Sequence, residues 1–370
     1  MNKNVSALFC LIKAGLWEQG IQLSALGDIG YDEVFRLAEE QSVLGLVTAG
    51  MEHVTDVKIP QEVLLQFIGS TLQIEQQNQN MNEFVAQLTD LLRIEGINSL
   101  LVKGQGIAQC YEKPLWRASG DVDLLLDRAN YEKAKKLLLA RSETAGNEVV
   151  DELHLGMTIN RWEVELHGTL HSELSFKLDK QIDEIQNTVF KEGKIRSWRN
   201  GDIEIALPAP DEDVIFVFVH ILQHFFKGGI GLRQICDWSR LLWKYNESID
   251  VYLLEKRLQS MGLMSEWRSF GSLAVEYLGM PKNAMPFYSS GKKWSKKAEK
   301  IISFILEVGN FGHNRDMSYY DSKTYLKRKT ISLWRRIEDV CRHTTIFPVD
   351  SLRFFPCMVF NGIRSMARGL

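Results

Sequence analysis

The sequence predicts an α+β fold, in which a small mixed sheet with its own helices lies between two helical regions. Apolar residues recur at helical spacing before residue 97 and again after residue 208. Between these limits, short apolar runs and runs that alternate apolar with charged residues are typical of strands. We therefore predict a helical N-terminal region at 1–97, a core at 98–207 and a helical C-terminal domain at 208–370.

The long stripe that closes the N-terminal region defines where the core begins. Its apolar residues are three or four positions apart: Met81, Phe84, Val85, Leu88 and Leu92. Gly96 then supplies a helix stop, and the apolar run Leu100-Leu101-Val102 follows it. This run predicts the first strand of the core.

A glycine-containing turn and a pair of carboxylates follow this strand. The run ends abruptly at Lys103-Gly104-Gln105-Gly106, which predicts a turn into a helix. Farther on, Asp121 and Asp123 alternate with apolar residues, so both project from one face of a second strand. Two carboxylates on one face of a strand repel each other unless a cation binds between them or one of them takes up a proton. The pair therefore predicts a site for a divalent cation.

A second alternating run, Trp162-Glu163-Val164-Glu165-Leu166-His167, predicts a third strand of the core. The alternation places Glu163, Glu165 and His167 on one face. A carboxylate from this neighbouring strand would complete the cation site. Metal ions held by three carboxylates can bridge a triphosphate, activate a hydroxyl and stabilise the leaving pyrophosphate. This is the chemistry of phosphoryl or nucleotidyl transfer.

These motifs resemble those of the nucleotidyltransferase superfamily typified by DNA polymerase beta and kanamycin nucleotidyltransferase. The resemblance is carried by a glycine turn after one strand, Gly-Asp-Val-Asp on the next and Val-Glu-Leu on a third. More narrowly, the sequence looks like a bacterial family of uncharacterised nucleotidyltransferases. This likeness rests on motifs within residues 100–170: Leu101-Val102-Lys103-Gly104, Tyr111, Pro114, Arg117, Gly120-Asp121-Val122-Asp123 and Val164-Glu165-Leu166-His167.

The resemblance implies a polymerase-beta-like nucleotidyltransferase core. It also implies an enzyme that moves an NMP group, expected to be AMP from ATP or the NMP of another NTP, to a hydroxyl with release of pyrophosphate. Asp121, Asp123 and Glu165 would be the catalytic residues and the ligands of Mg²⁺ or Mn²⁺. Glu165 matches the family's third carboxylate and is also a candidate acceptor for the hydroxyl proton. The acceptor stays open among a small metabolite, an antibiotic-like aminoalcohol and a protein side chain.

Several residues are expected to bind the nucleotide: Lys103, Gly104, Gln105, Arg117, His167, His224 and Lys227. Lys103 is either an exposed turn lysine or a phosphate contact. Arg117 either pairs with one of the two aspartates or clamps a phosphate bidentately. His167 would orient Glu165, contact the nucleotide or line the cleft wall.

One departure from the superfamily pattern supports a second hypothesis. The superfamily has Gly-Ser or Gly-Gly in the turn, whereas here Gln105 follows Gly104. A small hydroxyl that would help to hold the triphosphate is therefore missing. The alternative is a catalytically inactive nucleotide-binding or protein-interaction module with the same fold.

The helix predicted to start after Pro208-Ala209-Pro210 is apolar on most sides. Its polar strip contains an acid, two imidazoles, an amide and an ammonium: Asp213, His220, Gln223, His224 and Lys227. Burying these groups unpaired would be costly, so we expect His224 and Lys227 on the cleft wall opposite Asp121. A buried hydrogen-bonded pair of His220 and His224 is the alternative. The missing Glu after His220 argues against a zinc site on this helix.

Four other polar residues are expected to have structural roles. Arg233 and Asp237 are four residues apart on a predicted helix, so they are expected to form a salt link. His154 and His171 lie outside the motifs of the predicted cation site, and we expect them to be surface or packing histidines.

The composition argues against several other classes of protein. A formal net charge of −3, without a tract rich in Lys and Arg, argues against a nucleic-acid partner. The five cysteines are scattered without a C-x-x-C spacing, which argues against a zinc site or a disulfide framework. No run reaches the roughly 20 apolar residues of a membrane span, and the N-terminus makes a poor signal peptide. The sequence thus predicts a cytoplasmic protein whose partners are an NTP and an acceptor.

Overall fold

The computed structural model describes residues 2–310 and 325–367. The predicted C-terminal domain therefore includes residues 311–324 and 368–370, which lie outside the described part of the chain. Helices dominate both ends, and a small mixed sheet lies between them. This confirms the predicted α+β class.

Before the sheet, the chain forms α1 (Lys3–Trp17), α2 (Tyr31–Glu40), α3 (Leu44–Met51) and α4 (Gln61–Ile94). The apolar stripe predicted near the end of α4 is buried, as its helical spacing requires. Gly96 follows α4 with a φ of +67°, a left-handed conformation that glycine adopts without strain. The chain can therefore turn directly into the first strand.

The main sheet contains β1 (Leu100–Val102), β2 (Asp121–Leu125), β3 (Thr144–Ala145), β4 (His154–Ile159) and β5 (Trp162–His167). Two helices lie between its early strands: α5 (Gly104–Ala108) and α6 (Arg128–Leu139). The strand order is β1-β2-β5-β4-β3, with β2 parallel to β5 and the other pairs antiparallel. The expectation that the three strands carrying the motifs are neighbours is thus confirmed, because β2 lies between β1 and β5.

After the sheet, α7 (Phe176–Glu192) leads to a separate hairpin of β6 (Ile195–Asn200) and β7 (Ile203–Pro208). The helices described beyond this hairpin are α8 (Pro210–Lys227), α9 (Leu232–Lys244), α10 (Val251–Met261), α11 (Met264–Glu276), α12 (Lys292–Val308), α13 (Tyr325–Thr344) and α14 (Pro348–Ala367). α8 starts with a proline and three acidic residues, which suit the free N–H groups of a first turn. None of the helices that the structure describes is long and apolar enough to cross a membrane.

Two hydrophobic clusters hold these elements together. The smaller packs the end of α4 against the sheet through residues such as Phe84, Val122 and Val164. The larger joins helices from both ends of the chain and includes the buried apolar residues of α8. The Phe218 ring on α8 lies 5.1 Å from that of Trp238 and 4.8 Å from that of Trp267. Packing therefore fixes α8, and with it the direction of its polar strip.

Candidate active site

The carboxylates predicted on β2 and β5 lie on adjacent strands in register. In this parallel pair, Asp121 is opposite Glu163 and Asp123 is opposite Glu165. Paired residues project from the same face of a sheet, so Asp121, Asp123 and Glu165 share one face. Asp121 is exposed at the start of β2, whereas the Asp123 side chain is only 2 % exposed. The aspartate pair therefore extends from the surface into the interior.

Asp123 is held by two nitrogen donors. Lys103 Nζ lies 2.9 Å and His167 Nε2 lies 2.7 Å from the same atom, Asp123 Oδ1. Burial alone would raise the pKa of the Asp123 carboxyl, but the charge of Lys103 and the hydrogen bond from His167 hold it below its usual value. Burial would likewise lower the pKa of His167, and its hydrogen bonds to Asp123 and Glu165 raise it instead. Asp123 is therefore an anion at neutral pH.

The turn after β1 determines where Lys103 lies. Lys103 has a φ of 57° and a ψ of −145°, a strained conformation that costs a residue other than glycine about 1–3 kcal/mol. Gly104 follows with a φ of 38°, also in the left-handed region. The Lys103 side chain is 22 % exposed and contacts Asp123, so it is not the solvent-exposed turn lysine of the first alternative. The strained turn thus brings an ammonium group to the buried aspartate.

Gln105, which follows this turn, has a structural partner on α4. The residue is 2 % exposed, and its Nε2 donates to Oδ1 of Asn78 at 2.9 Å. Asn78 in turn donates to the carbonyl oxygens of Leu115 and Arg117, both at 2.7 Å. Gln105 therefore helps to tie α4 to the loop before β2, and its contact with a nucleotide stays a prediction.

Arg117 pairs with Asp237, which the sequence predicts as the partner of Arg233. Its Nε and Nη2 donate to the two carboxylate oxygens of Asp237 on α9, at 2.8 and 2.7 Å. The hydroxyl of Tyr111 donates to Asp237 Oδ1 at 2.7 Å. The expected pairing of Arg117 with Asp121 or Asp123 is therefore replaced by a buried clamp between the loop before β2 and α9.

Arg233 does not form the salt link with Asp237 that its sequence position predicts. Its Nη1 donates to the carbonyl oxygen of Ala118 at 2.8 Å, and its expected partner Asp237 is bound to Arg117. The Nε of Arg233 is buried and has no hydrogen-bond partner within the described residues. Burial, and then the charge of Arg117, lower the pKa of this guanidinium. A buried donor without a partner is costly, which makes Arg233 a candidate for binding an anion.

Two adjoining cavities lie between this face of the sheet and α8. The aspartate cavity, of about 180 Å³, is lined by Gly104 and by charged side chains: Arg117, Asp121, Asp123, Arg233 and Asp237. The histidine cavity, of about 290 Å³, is lined by imidazoles from β4, β5, the loop after β5 and α8: His154, His167, His171, His220 and His224. Both cavities are lined by Lys103, Glu165, His220 and His224. We therefore describe them as two parts of one cleft.

Glu165 lies between two imidazoles in the histidine cavity. Its Oε2 is 3.3 Å from His154 Nε2 and 3.4 Å from His167 Nε2. Hydrogen bonds from His154 and His167 hold the pKa of Glu165 far below its usual range. The lowered pKa favours a role as a permanently charged ligand over the role of proton acceptor.

The expectation for His154 as a surface or packing residue is thus wrong, since it contacts Glu165 and lines the cavity. His154 and His167 are register partners in the antiparallel pair of β4 and β5. Only Asn160 and Arg161 separate these strands, and both have positive φ. Two strand-like runs separated by two residues are a hairpin signal, and this signal in the sequence would have paired the two histidines.

His220 and His224 on α8 lie across the cleft as neutral imidazoles. Burial, and then the charge of Lys103, lower the pKa of both, that of His224 to about 4. His224 lines both cavities, whereas Lys227 forms an ion pair with Glu173 and lines neither cavity. The ammonium of Lys227 thus lies with Glu173 instead of opposite Asp121, and its part in nucleotide binding stays a prediction.

Glu152 is a further cavity residue that the sequence did not indicate. Burial and a hydrogen bond with Glu173 raise its pKa to about 8, so it carries a proton at neutral pH. The histidine cavity therefore combines neutral groups with the charged Lys103 and Glu165, while the aspartate cavity contains the arginines and the aspartate pair.

The mixed sheet thus brings the in-register carboxylates, the Lys103 turn and α8 around one cleft. Residues 27–279 match the sequence model of a family described as "Uncharacterised nucleotidyltransferase". The match covers more than half of the chain, which therefore belongs to this family, and the family-level resemblance is confirmed. Neither the curated proteins nor the solved structures contain a significant match to the chain.

Proposed function

We propose that this protein is a metal-dependent nucleotidyltransferase that moves an NMP group, AMP from ATP, to a hydroxyl of an acceptor and releases pyrophosphate. Family membership supports nucleotidyl transfer in general. The single observation that carries the specific proposal is the set of Asp121, Asp123 and Glu165, in register on one face of β2 and β5 beside a cleft.

These carboxylates suit a hard divalent cation. Magnesium prefers oxygen ligands, and carboxylates in this arrangement supply them. Asp121, Asp123 and Glu165 would hold the ion, and the low pKa values of Asp123 and Glu165 keep both ready as anionic ligands. A bound ion would offset the charge of the triphosphate and that of the leaving pyrophosphate.

The positive groups of the aspartate cavity would hold the triphosphate. Lys103 and Arg233 both line this cavity, and Arg233 has a buried Nε without a partner. A guanidinium binds phosphate oxygens through a planar fork of N–H groups, which suits this position. Arg117 lines the same cavity, but its bonds to Asp237 assign it a positioning role, holding the loop that leads to Asp121.

The acceptor hydroxyl would approach from the histidine cavity. Glu165 and His220 line both cavities, so a group entering beside them lies next to the carboxylate set. The neutral imidazoles of His220 and His224 can donate or accept hydrogen bonds without adding charge near the triphosphate. We propose these two residues as contacts that orient the acceptor.

The rival function is a nucleotide-binding module without turnover. The observation that favours it is the bond of Gln105 to Asn78, because this amide belongs to the structural framework and the turn has no small hydroxyl for the triphosphate. Such a module would bind ATP but release no pyrophosphate.

Incubation with α-labelled ATP and Mg²⁺ distinguishes the two functions. The reaction is examined for label on the protein itself and for label on components of a metabolite extract, while pyrophosphate release is measured in parallel. The proposal predicts pyrophosphate release and labelled acceptor, both lost in Asp121→Asn. ATP binding without pyrophosphate release supports the module, and the absence of both binding and release contradicts both functions.

A further inference from the structure

We propose that His154, Glu165 and His167 form a second cation site, which binds a late first-row divalent ion such as Zn²⁺. The site shares Glu165 with the magnesium ligands proposed above and differs from them in its two imidazole donors. The proposal rests on the geometry of β4 and β5 and does not require that the transferase function is correct.

The three donor atoms already have spacings close to those of a zinc site. The Nε2 atoms of His154 and His167 lie 3.3 and 3.4 Å from one atom, Glu165 Oε2. Donors around a tetrahedral zinc ion with bonds of about 2.0–2.1 Å are separated by about 3.3 Å. All three donor atoms lie within 4.8 Å of one another, so a small rotation of the rings would close the remaining side of the triangle.

The backbone holds these side chains together without a flexible loop. His154 and His167 are directly opposite in the β4–β5 pairing, and Glu165 is two residues before His167 on the same face. The imidazole rings are 4.9 Å apart and tilted by 35°. Donors on neighbouring strands of one sheet are rigidly placed, which lowers the cost of ordering them around an ion.

The donor set selects a different ion from the aspartate pair. Two imidazole nitrogens with one carboxylate, and an open fourth position, are the ligands of many catalytic zinc sites. Magnesium prefers oxygen ligands, whereas imidazole nitrogen suits late first-row ions such as Zn²⁺. The histidine set is therefore expected to prefer Zn²⁺, while Asp121 and Asp123 suit Mg²⁺.

The two sets are connected through His167. Its Nε2 lies 2.7 Å from Asp123 Oδ1 and 3.4 Å from Glu165 Oε2, and a single imidazole nitrogen carries at most one hydrogen. An ion on this nitrogen would remove its hydrogen bond to Asp123 and leave Lys103 as the cationic partner of that carboxylate. The open fourth position would face the histidine cavity, of about 290 Å³, where a water molecule or a substrate could complete the coordination.

Isothermal titration calorimetry of the metal-free full-length chain with ZnCl₂, without nucleotide, tests this site. The wild-type chain is expected to bind one equivalent with a preference for Zn²⁺ over Mg²⁺. Loss of a residue that only hydrogen-bonds to a metal ligand weakens metal binding by about 10- to 100-fold. Because His154 would be a ligand itself, His154→Asn is expected to weaken zinc binding by more than about 100-fold. Circular dichroism checks that this half-buried replacement leaves the fold intact.

Two matched variants serve as controls. His171→Asn removes another imidazole of the same cavity, which pairs with Asp183, and Asp121→Asn removes a magnesium ligand of the proposed function. Neither is expected to change zinc affinity. No zinc binding by the wild type, equal affinity in His154→Asn, or an equal loss in His171→Asn would overturn the proposal. A failed label-transfer assay with zinc binding retained would contradict only the transferase function.

Discussion

Two ionic clusters contribute side chains to the aspartate cavity, and they differ in how completely their hydrogen-bonding groups are satisfied. In the structural cluster of Tyr111, Arg117 and Asp237, both oxygens of the carboxylate receive donors at 2.7–2.8 Å. In the site cluster of Lys103, Asp123, Glu165 and His167, two donors converge on the same oxygen of Asp123. The single Nε2 of His167 is also close to Glu165.

This difference separates a structural role from a chemical one. The structural cluster joins α9 to the loop and uses its hydrogen-bonding groups on one another. Both clusters reach the cleft, but the site cluster cannot satisfy all of its contacts at once, since one nitrogen cannot donate to two carboxylates with one hydrogen. A cation that joins these groups would resolve the competition. We therefore expect the first cluster to control stability and the second to control ligand binding.

The largest expected effect is the loss of stability in Asp237→Asn. This change leaves Arg117 buried without its charged partner, so the free energy of unfolding should fall by about 3–5 kcal/mol. Urea denaturation followed by circular dichroism measures it. Glu52→Gln is the control, because its exposed pair with Lys113 should contribute less than about 1 kcal/mol. Equal small losses in both variants would contradict the structural role of the first cluster.

The next effect concerns the positive side of the aspartate cavity. Arg233→Ala should weaken ATP binding by about 1.5–3 kcal/mol, because a hydrogen bond to a charged group is lost, and should weaken AMP binding less. Calorimetric titration with the two nucleotides measures both losses. Lys227→Ala should reduce ATP affinity less than Arg233→Ala does, since Lys227 pairs with Glu173. A larger loss of ATP affinity in Lys227→Ala would place the triphosphate beside Lys227, at the C-terminal end of α8.

A smaller effect is expected in the pH dependence of stability. The folded-state pKa of His224 is about 4, below the ordinary 6.5, because burial disfavours its charged form. Between these values the unfolded chain binds more protons, so stability falls as the pH falls through this window. His224→Asn should reduce that slope by up to about 1.4 kcal/mol per pH unit.

His171 supplies the control of opposite sign. Burial would lower its pKa, but its partner Asp183 raises it, so its charged form stabilises the fold at low pH and this contribution is lost as the pH rises. His171→Asn should therefore remove a fall in stability that the wild-type chain shows as the pH rises above about 6.5, whereas His224→Asn acts below that pH. Unfolding free energies at several pH values between 4 and 9 measure both slopes. Parallel slopes in the two variants would contradict the different environments of these histidines.

The sequence predicted the features that depend on local periodicity. The alternation around Asp121 and around Glu165 placed each carboxylate on one face, and the glycine turn after Val102 separated the strands. The helical stripe of α8 predicted that its apolar sides are buried, and Val217 and Phe218 are buried in the structure. A period of two or 3.6 residues is visible in a short stretch of chain, which is why these predictions succeed.

Partners that are distant in sequence were not predicted. Asp237 is 120 residues from Arg117, and the two meet only because α9 packs back against the loop before β2. The same packing brings Arg233 and Asp237, four residues apart on α9, to the lining of the aspartate cavity. No local pattern contains this information, because it depends on how the helices following the sheet pack onto it.

The measurement that tests the central claim most directly is the ATP affinity of Asp121→Asn, determined with and without Mg²⁺. Asp121 is exposed, so the Asn replacement should leave the fold intact. Partial loss of hydration and the charge of Asp123 raise the pKa of Asp121, so removing its charge also relieves the repulsion between the two carboxylates. The wild-type chain should bind ATP more tightly with Mg²⁺ than without it. In the variant, the ATP affinity measured with Mg²⁺ should be lower by about 10- to 100-fold. Unchanged magnesium-dependent affinity in both Asp121→Asn and Asp123→Asn would contradict the carboxylate site.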